Sequence, residues 1–151
     1  GLPKFTASWS NYLKYKNLDL SIYFRGAFGF EIFNIHEFYY GIPGMTSNVM
    51  KTAYTKNANI KENPLVCDYF IERGDYLKLD MVTIGYTIPL VSKYFDSVRF
   101  SLTGKNLFTL TSFSGVDPST YSTNGLTPGA TGSRNYYPTC RQFLAAVQIA
   151  F

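Results

Sequence analysis

The 151-residue chain has no apolar run of about 18 residues, the length that a membrane-spanning helix needs, so a helical membrane protein is excluded. The sequence also has few residues that could carry chemistry: one histidine, His36, and two cysteines, Cys67 and Cys140. A Ser-His-Asp mechanism would have to use His36, and no nucleophile elbow accompanies it. A zinc site would combine His36 with two cysteines that lack the paired spacing of such sites. We therefore expect no enzymatic activity and no metal or other cofactor.

Charge is sparse as well. Charged residues make up 16% of the sequence and the formal net charge is +4. Lysines and arginines are spread along the chain and form no basic stripe, so nucleic-acid binding is not supported. The stretch 125–132 contains glycines but lacks the strand-loop-helix pattern that cradles phosphates, and it is interpreted as loop.

Aromatic residues and period-two alternation are what the sequence has in excess. It contains 13 Tyr, 13 Phe and 1 Trp. In the clearest of five alternating stretches, every even-numbered residue from Leu18 to Ile32 is apolar or glycine, whereas the odd-numbered residues include Asp19, Arg25 and Glu31. Runs of roughly 12–15 residues exceed the 5–6 typical of soluble strands and suffice to cross a bilayer, and aromatic girdles are typical of membrane barrels. The pattern favours an all-β, antiparallel transmembrane β-barrel over the alternative, a soluble β-sandwich carbohydrate-binding module.

The five alternating stretches predict strands at about 4–16, 18–33, 69–88, 96–112 and 139–151. A tight turn and the short link 89–96 alternate with two long segments, 34–68 and 113–138. Barrels have short periplasmic turns and long outer loops, so we expect these two loops outside and the C-terminus, Phe151, in the periplasm. In the third stretch Leu77 and Met81 share a face but Ile84 lies on the other, which predicts a bulge near Met81–Val82.

Five strands cannot close a membrane barrel, since the smallest such barrels use about eight. Open edges would leave backbone groups unpaired in hydrocarbon, at several kcal/mol each. We therefore interpret 1–151 as the C-terminal portion of a larger barrel. On this topology Cys67 and Cys140 lie at the outer ends of next-nearest strands, about 9–10 Å apart, whereas a disulfide needs Cα atoms within about 7 Å. Two unpaired thiols are favoured, unless Cys67 lies in a loop.

Short motifs between the alternations occur in a characteristic order. They are Pro3-Lys4-Phe5, Asn17-Leu18-Asp19-Leu20, Phe24-Arg25-Gly26, Asp75-Tyr76-Leu77-Lys78-Leu79, Thr83-Ile84-Gly85-Tyr86-Thr87-Ile88-Pro89, Lys105-Asn106-Leu107-Phe108-Thr109-Leu110, Ser114-Gly115-Val116-Asp117-Pro118 and Tyr136-Tyr137-Pro138. The ordered set resembles the C-terminal barrel strands of SusC/RagA-type TonB-dependent outer-membrane transporters. Cys140, Ala145 and Ala146 depart from the usual pattern, in which a polar residue and glycines are more common.

The resemblance implies that these are the last five strands of a 22-stranded barrel in the outer membrane of a Gram-negative bacterium. A plug domain and a TonB-contacting segment, both absent from this chain, would complete the transporter. Its partners would be the remainder of the barrel and the plug, a SusD-like surface lipoprotein acting as a lid, the TonB complex and outer-membrane lipid. The implied function is active import of an oligosaccharide or peptide.

Three groups of residues are candidates for that function. Loop aromatics that could stack on sugars or anchor peptides, or else simply pack the loops, are Phe38, Tyr39, Tyr40, Tyr121, Tyr136 and Tyr137. Charged residues that could line the lumen or contact the plug, or else belong to an ordinary solvated wall, are Arg25, Glu31, Lys78, Asp80, Arg99 and Lys105. The last strand ends in an alternating apolar face that resembles the signal read by the barrel-assembly machinery and also suits a girdle: Phe143, Ala145, Val147, Ile149 and Phe151.

Overall fold

The computed structural model describes residues 1–44, 48–61, 65–90, 95–121, 129 and 137–151. Its strands are β1 (Phe5–Tyr15), β2 (Leu18–Phe28), β3 (Glu31–Phe33), β4 (Ile71–Arg73), β5 (Tyr76–Pro89), β6 (Ser97–Thr111) and β7 (Gln142–Ala150). One short α-helix, α1 (Ile35–Tyr40), and three 3-10 turns (Lys51–Tyr54, Asp68–Phe70 and Pro118–Thr120) complete the described elements. None of the helices among these residues is both long and apolar enough to span a membrane.

The chain divides into two compact units. The first, here called the loop unit, comprises Gly1–Phe5, Ala27–Tyr76 and Thr111–Pro138. The second, the sheet unit, comprises Thr6–Gly26, Leu77–Leu110 and Thr139–Phe151. The small sheet of β3 and β4 belongs to the loop unit, and the long strands make up most of the sheet unit.

The long strands form one antiparallel five-stranded sheet in the order β1-β2-β5-β6-β7. The pairing of β6 with β7 runs from Ser97 opposite Ala150 to Lys105 opposite Gln142. In this register apolar residues face each other on one side of the sheet, as Phe100 does with Val147. Phe100 is 48% exposed and Val147 58% exposed, so no second sheet packs on this apolar face among the described residues, as a β-sandwich would require. The fold is that of an open piece of barrel wall.

β5 carries the change of phase that the sequence predicted near Met81–Val82. Asp80 Oδ2 lies 2.5 Å from Arg25 Nε of β2, an ion contact without hydrogen-bond alignment. Thr83 Oγ1 lies 2.9 Å from Thr103 Oγ1 of β6. Arg25 and Thr103 both lie on the polar faces of their strands, so Asp80 and Thr83 share that face. Positions three apart lie on opposite faces of a regular strand, so one extra residue is accommodated between them.

The second and third predicted strands, 18–33 and 69–88, are each interrupted. β2 ends at Phe28 because Gly29 adopts a positive φ of 75° and donates its N–H to Asp75 Oδ1 at 2.6 Å. On the other chain segment, Gly74 N–H donates to the Phe30 carbonyl at 2.9 Å. A Cβ on Gly74 would lie 2.6 Å from side-chain atoms of Phe30 and Ile32, so only glycine fits this crossing. Beyond these glycines, β3 and β4 form a separate two-stranded antiparallel sheet, with Ile32 opposite Glu72.

The other strand predictions differ less from the structure. β1 and β6 each begin and end one residue inside the predicted ranges 4–16 and 96–112. β7 begins at Gln142, three residues later than predicted. In the link 89–96, Leu90 N–H donates to the Asp96 carbonyl at 2.9 Å, and residues 91–94 lie outside the described residues. Both cysteines are exposed, and neither forms a disulfide among the described residues.

Candidate functional site

The loop unit is organised around an aromatic core. Its buried residues are Ala27, Phe30, Ile32, Tyr76 and Phe113, and Tyr121 packs against them. The ring centroids of Phe30 and Tyr121 are 4.7 Å apart. A second aromatic cluster joins β3, α1 and the 3-10 turn before β4, with Phe38 centroids 5.5 Å from Phe33 and 5.2 Å from Phe70. These clusters hold the β3–β4 sheet and α1 in place, and the site is built on these elements.

Glu72 on β4 connects its strand to two other segments of the loop unit. Its carboxylate accepts hydrogen bonds from Ser114 N–H at 2.8 Å, from Ser114 Oγ at 2.7 Å and from Asn34 Nδ2 at 3.0 Å. Partial burial opposes the charged form, but these donors outweigh it and hold the pKa of Glu72 below its usual range. The carboxylate is therefore a fixed, ionised anchor for the segment after β6.

Asn34 also contacts the segment of Glu37, whose carboxylate is buried. The side-chain oxygen of Asn34 caps α1 by accepting from Glu37 N–H at 3.1 Å. Glu37 is only 2% exposed, and its carboxylate accepts from Thr52 Oγ1 at 3.0 Å and from Asn57 Nδ2 at 2.8 Å. Asn57, fully buried, also donates to the Gly41 carbonyl at 2.6 Å and accepts from Tyr69 OH at 2.5 Å. These hydrogen bonds connect α1 to the segment 52–57 and that segment to Tyr69.

A cavity of about 510 Å³ opens beside the β3–β4 sheet of the loop unit. It is lined by Gly1, Leu2, Lys4, Gly29, Phe30, Glu31, Arg73 and Asp75. Arg73 Nη2 donates to Asp75 Oδ2 at 3.1 Å, and the Arg73 side chain is 78% exposed. The cavity therefore presents charges of both signs beside apolar surface.

The predicted loop aromatics fall into two kinds. Phe38 and Tyr121 pack inside the aromatic clusters, and Tyr39 and Tyr40 continue the row of rings with centroids 5.0 and 6.5 Å from their neighbours. Tyr137, in contrast, is 88% exposed. Tyr136 lies outside the described residues.

Sequence reasoning overlooked Tyr54, which is 72% exposed on the 3-10 turn Lys51–Tyr54. No periodicity marks that turn. Its position in a long loop between lysines was the only signal that could have drawn attention to it.

The charged residues predicted to face the lumen are not one group. Arg25 and Asp80 pair with each other, and Lys78 is buried with its Nζ 2.9 Å from Thr139 Oγ1. Lys105 is half-buried on β6, opposite Gln142. Glu31 belongs instead to the β3–β4 sheet, opposite Arg73, because the strand breaks at Gly29. The prediction that Glu31 lies in the long sheet with the others was wrong.

Arg99 is the centre of a polar bridge across the sheet unit that sequence reasoning did not find. Its Nε and Nη2 donate to the two carboxylate oxygens of Asp19 at 3.0 and 2.6 Å, and its Nη1 donates to Gln148 Oε1 at 3.1 Å. Asp19 lies on β2 and Arg99 on β6, so their bond crosses β5 at Gly85. A Cβ on Gly85 would overlap Arg99 Nη2 and lie 2.5 Å from Asp19 Oδ1. Glycine at this position leaves the room that the bridge needs.

The alternating residues of the last strand are all exposed along β7. Phe143, Val147 and Ile149 are 71%, 58% and 50% exposed, and Ala145 lies between them on the same face. Phe151, just beyond the strand, is 86% exposed and its ring centroid lies 5.8 Å from that of Phe95. Its role as an assembly signal stays a prediction.

Comparisons with known proteins agree with this architecture. No family model matches the chain. It is 30% identical over 128 residues to TonB-dependent receptor P3 of Formosa agariphila, an alignment that covers 77% of this chain and 13% of the relative. It is 28% identical to TonB-dependent receptor P26 of the same organism, covering 99% of this chain and 17% of that one. The chain thus spans about a sixth or less of the length of these relatives.

Solved structures give the same result for the fold. The structure of the RagAB peptide transporter superposes on 99% of this chain and 17% of its own with a TM-score of 0.77 at 21% identity. The RagAB peptide importer in the 'open-open' state superposes with a TM-score of 0.71 at 20% identity.

The class defined by this fold is a segment of an antiparallel transmembrane β-barrel. More particularly, the comparisons confirm the resemblance drawn from the ordered motifs, to a segment of a SusC/RagA-like TonB-dependent receptor.

Proposed function

We propose that this chain forms part of the wall and outer loops of a TonB-dependent importer of an oligosaccharide or peptide. The observation that carries the proposal is the open five-stranded sheet, apolar and exposed on one face and bridged by polar pairs on the other. In a bilayer the apolar face would lie against lipid and the polar face would line the lumen. The likeness to TonB-dependent receptors and to a peptide transporter supports energised import over passive diffusion.

The topology of this importer follows the predicted parity of strands and loops. The five long strands cross the outer membrane of a Gram-negative bacterium as the last strands of a 22-stranded barrel. The segments 34–68 and 113–138 are outer loops, and Phe151 lies on the periplasmic side. The two open edges, β1 and β7, pair with the remaining strands, and the barrel encloses a plug.

Recognition in this segment rests on the loop unit. The carboxylates of Glu72 and Glu37 join the segments around Asn34, Asn57 and Ser114, and pre-organisation of this kind raises affinity by reducing the ordering cost of binding. Tyr137 and Tyr54 are the exposed rings available for stacking or for contact with a SusD-like lid protein. The arrangement needs no catalytic group.

The test is uptake by cells that carry the full-length transporter in their outer membrane. The probes are a fluorescent tryptic peptide mixture and fluorescent starch oligosaccharides, each measured with and without an uncoupler of the proton-motive force. We expect accumulation of one probe class that the uncoupler abolishes. Uptake of both classes regardless of the uncoupler would indicate a passive pore and contradict the proposal. A protein that extracts from cells without detergent would contradict the membrane assignment itself.

A further inference from the structure

Lys78 on β5 is the largest fully buried side chain of the described residues, with 1% of its surface exposed. It lies on the polar face of the sheet, since its neighbour Leu77 is exposed on the opposite face. Its Nζ donates to Thr139 Oγ1 at 2.9 Å. An ammonium group removed from water is strongly unfavourable without hydrogen-bond acceptors, so the contact with Thr139 is part of what keeps this lysine inside.

The chain ahead of β7 does not continue the sheet. Pairing with β6 ends where Lys105 faces Gln142. One residue further along β6, Asn106 adopts a positive φ of 53° and its side-chain Nδ2 donates to the Cys140 carbonyl at 3.2 Å. A side chain thus takes the place of the backbone ladder at this point.

The strand order gives this departure a direction. β6 lies between β5 and β7, so Thr139, which leads into β7, bonds to a strand that is not its neighbour. Adjacent strands are about 4.8 Å apart, so a residue extending β7 would be about two strand spacings from β5. The Lys78 side chain rises from the polar face of β5, and Thr139 is in hydrogen-bond contact with its end. The chain from Thr139 to Arg141 therefore bends toward the polar face instead of extending β7.

We propose that residues 139–141 fold inward over the polar face and narrow the lumen at its outer end, with Lys78 as the residue that positions them. The inference rests on the proposed function, because it takes the polar face as the lumen side. Thr139 and Arg141 then border the path of an entering solute, and the segment sets the size that can pass. Lys78 acts through this segment and does not itself select the solute.

The first experiment tests the path of the chain in the full-length transporter in outer membranes. Cys67 is replaced by serine, and the native Cys140 is paired with D80C on the polar face of β5, so that Lys78 and Thr139 both stay in place; the protein is then treated with a short bis-maleimide. Because neighbouring thiols react at a high effective concentration, we expect an intramolecular link at least about tenfold faster than for the matched pair L79C and Cys140, in which the β5 thiol is on the opposite face. Equal rates for the two pairs would overturn the inference.

The second experiment tests the narrowing itself. With both Cys67 and Cys140 replaced by serine, S101C places a reporter thiol on the polar face of β6, at the middle of its pairing with β7 and four residues from Lys105. We expect a small maleimide added outside to label it several-fold faster than a polyethylene-glycol maleimide, and K78M to bring the two rates together. K78R should preserve the difference, and so should K105M, which removes the same charge elsewhere on this face.

If both maleimides label the reporter thiol at the same rate while Lys78 is present, the narrowing is refuted. It is also refuted if neither maleimide labels the thiol, whether or not Lys78 is replaced by methionine. If K78M lowers the amount of folded barrel, Thr139→Val, which replaces the hydroxyl by a methyl group of similar size, is expected to give the same opening. Neither experiment measures import. A cross-link without energised uptake would therefore sink the proposed function alone, and uptake without a cross-link would sink only this inference.

Discussion

Replacing Asn57 by leucine is the sharpest perturbation of the loop unit. The fully buried amide of Asn57 serves three groups: it donates to Glu37 Oε1 and to the Gly41 carbonyl and accepts from Tyr69 OH. Leucine keeps the branch at Cγ but has no polar atoms, so Asn57→Leu leaves all three groups without this partner.

The expected loss is large because the groups are buried. Each buried polar group that loses its partner costs about 1–3 kcal/mol, and a carboxylate lies at the upper end. Allowing for relaxation, we expect Asn57→Leu to destabilise the local structure by about 3–5 kcal/mol. Thr52→Val removes only one donor from the same Glu37 carboxylate, and we expect about 1–2 kcal/mol.

Amide hydrogen exchange of the full-length protein measures this local opening. A change of about 3 kcal/mol corresponds to more than a hundredfold faster exchange of the amides of α1 and the turn Lys51–Tyr54. The amides of β6 should be unaffected, since they report on the sheet unit. If Asn57→Leu accelerates exchange no more than Thr52→Val does, the hydrogen bonds of Asn57 do not hold the loop and the reasoning is refuted.

Three further predictions follow from the same contacts. The pKa of Glu72 is lowered in the folded protein, so its stabilisation is complete above the range where free glutamate titrates and is lost as pH falls through the lowered value; exchange of the β4 amides, corrected for intrinsic rates, should rise in acid, and Glu72→Gln should abolish that dependence. Gly85→Ala places a methyl group against the Asp19 carboxylate and should reduce the SDS-resistant folded barrel, whereas Gly104→Ala meets only a movable side-chain end; equal losses would contradict the bridge. Deleting Phe151 should lower the amount of barrel at the cell surface more than the uptake per assembled barrel, and normal surface levels would refute its role as an assembly signal.

The long sheet could be predicted from the sequence because a strand with one face against apolar surroundings alternates apolar and polar residues. Even the irregularity between Asp80 and Thr83 could be predicted, because the apolar residues change from odd-numbered positions before it to even-numbered positions after it. The break at Gly29 could not, because the alternation continues through Phe30 and Ile32. What ends the strand there is a bond from Gly29 to Asp75, a residue 46 positions away.

The polar centre of the loop unit escaped prediction for a related reason. Asn34 and Glu37 have the three-residue spacing of a helix N-cap, but their bonds to Glu72 and Asn57 depend on partners that only the fold brings near. For the loop aromatics the sequence left ligand contact and loop packing open. Phe38 and Tyr121 pack into the aromatic clusters that support the loops, which the loop position of these residues alone could not decide.

This arrangement limits which chemistry the loop unit can offer a ligand. The Glu72 carboxylate already accepts from three donors, and Glu37 accepts from two side chains while almost fully buried. A cationic ligand group would have to displace these donors and disrupt the loop that presents it. Tyr54 and Tyr137, in contrast, are 72% and 88% exposed and can be covered without breaking any of these bonds. Contacts made by this unit should therefore depend on its exposed rings.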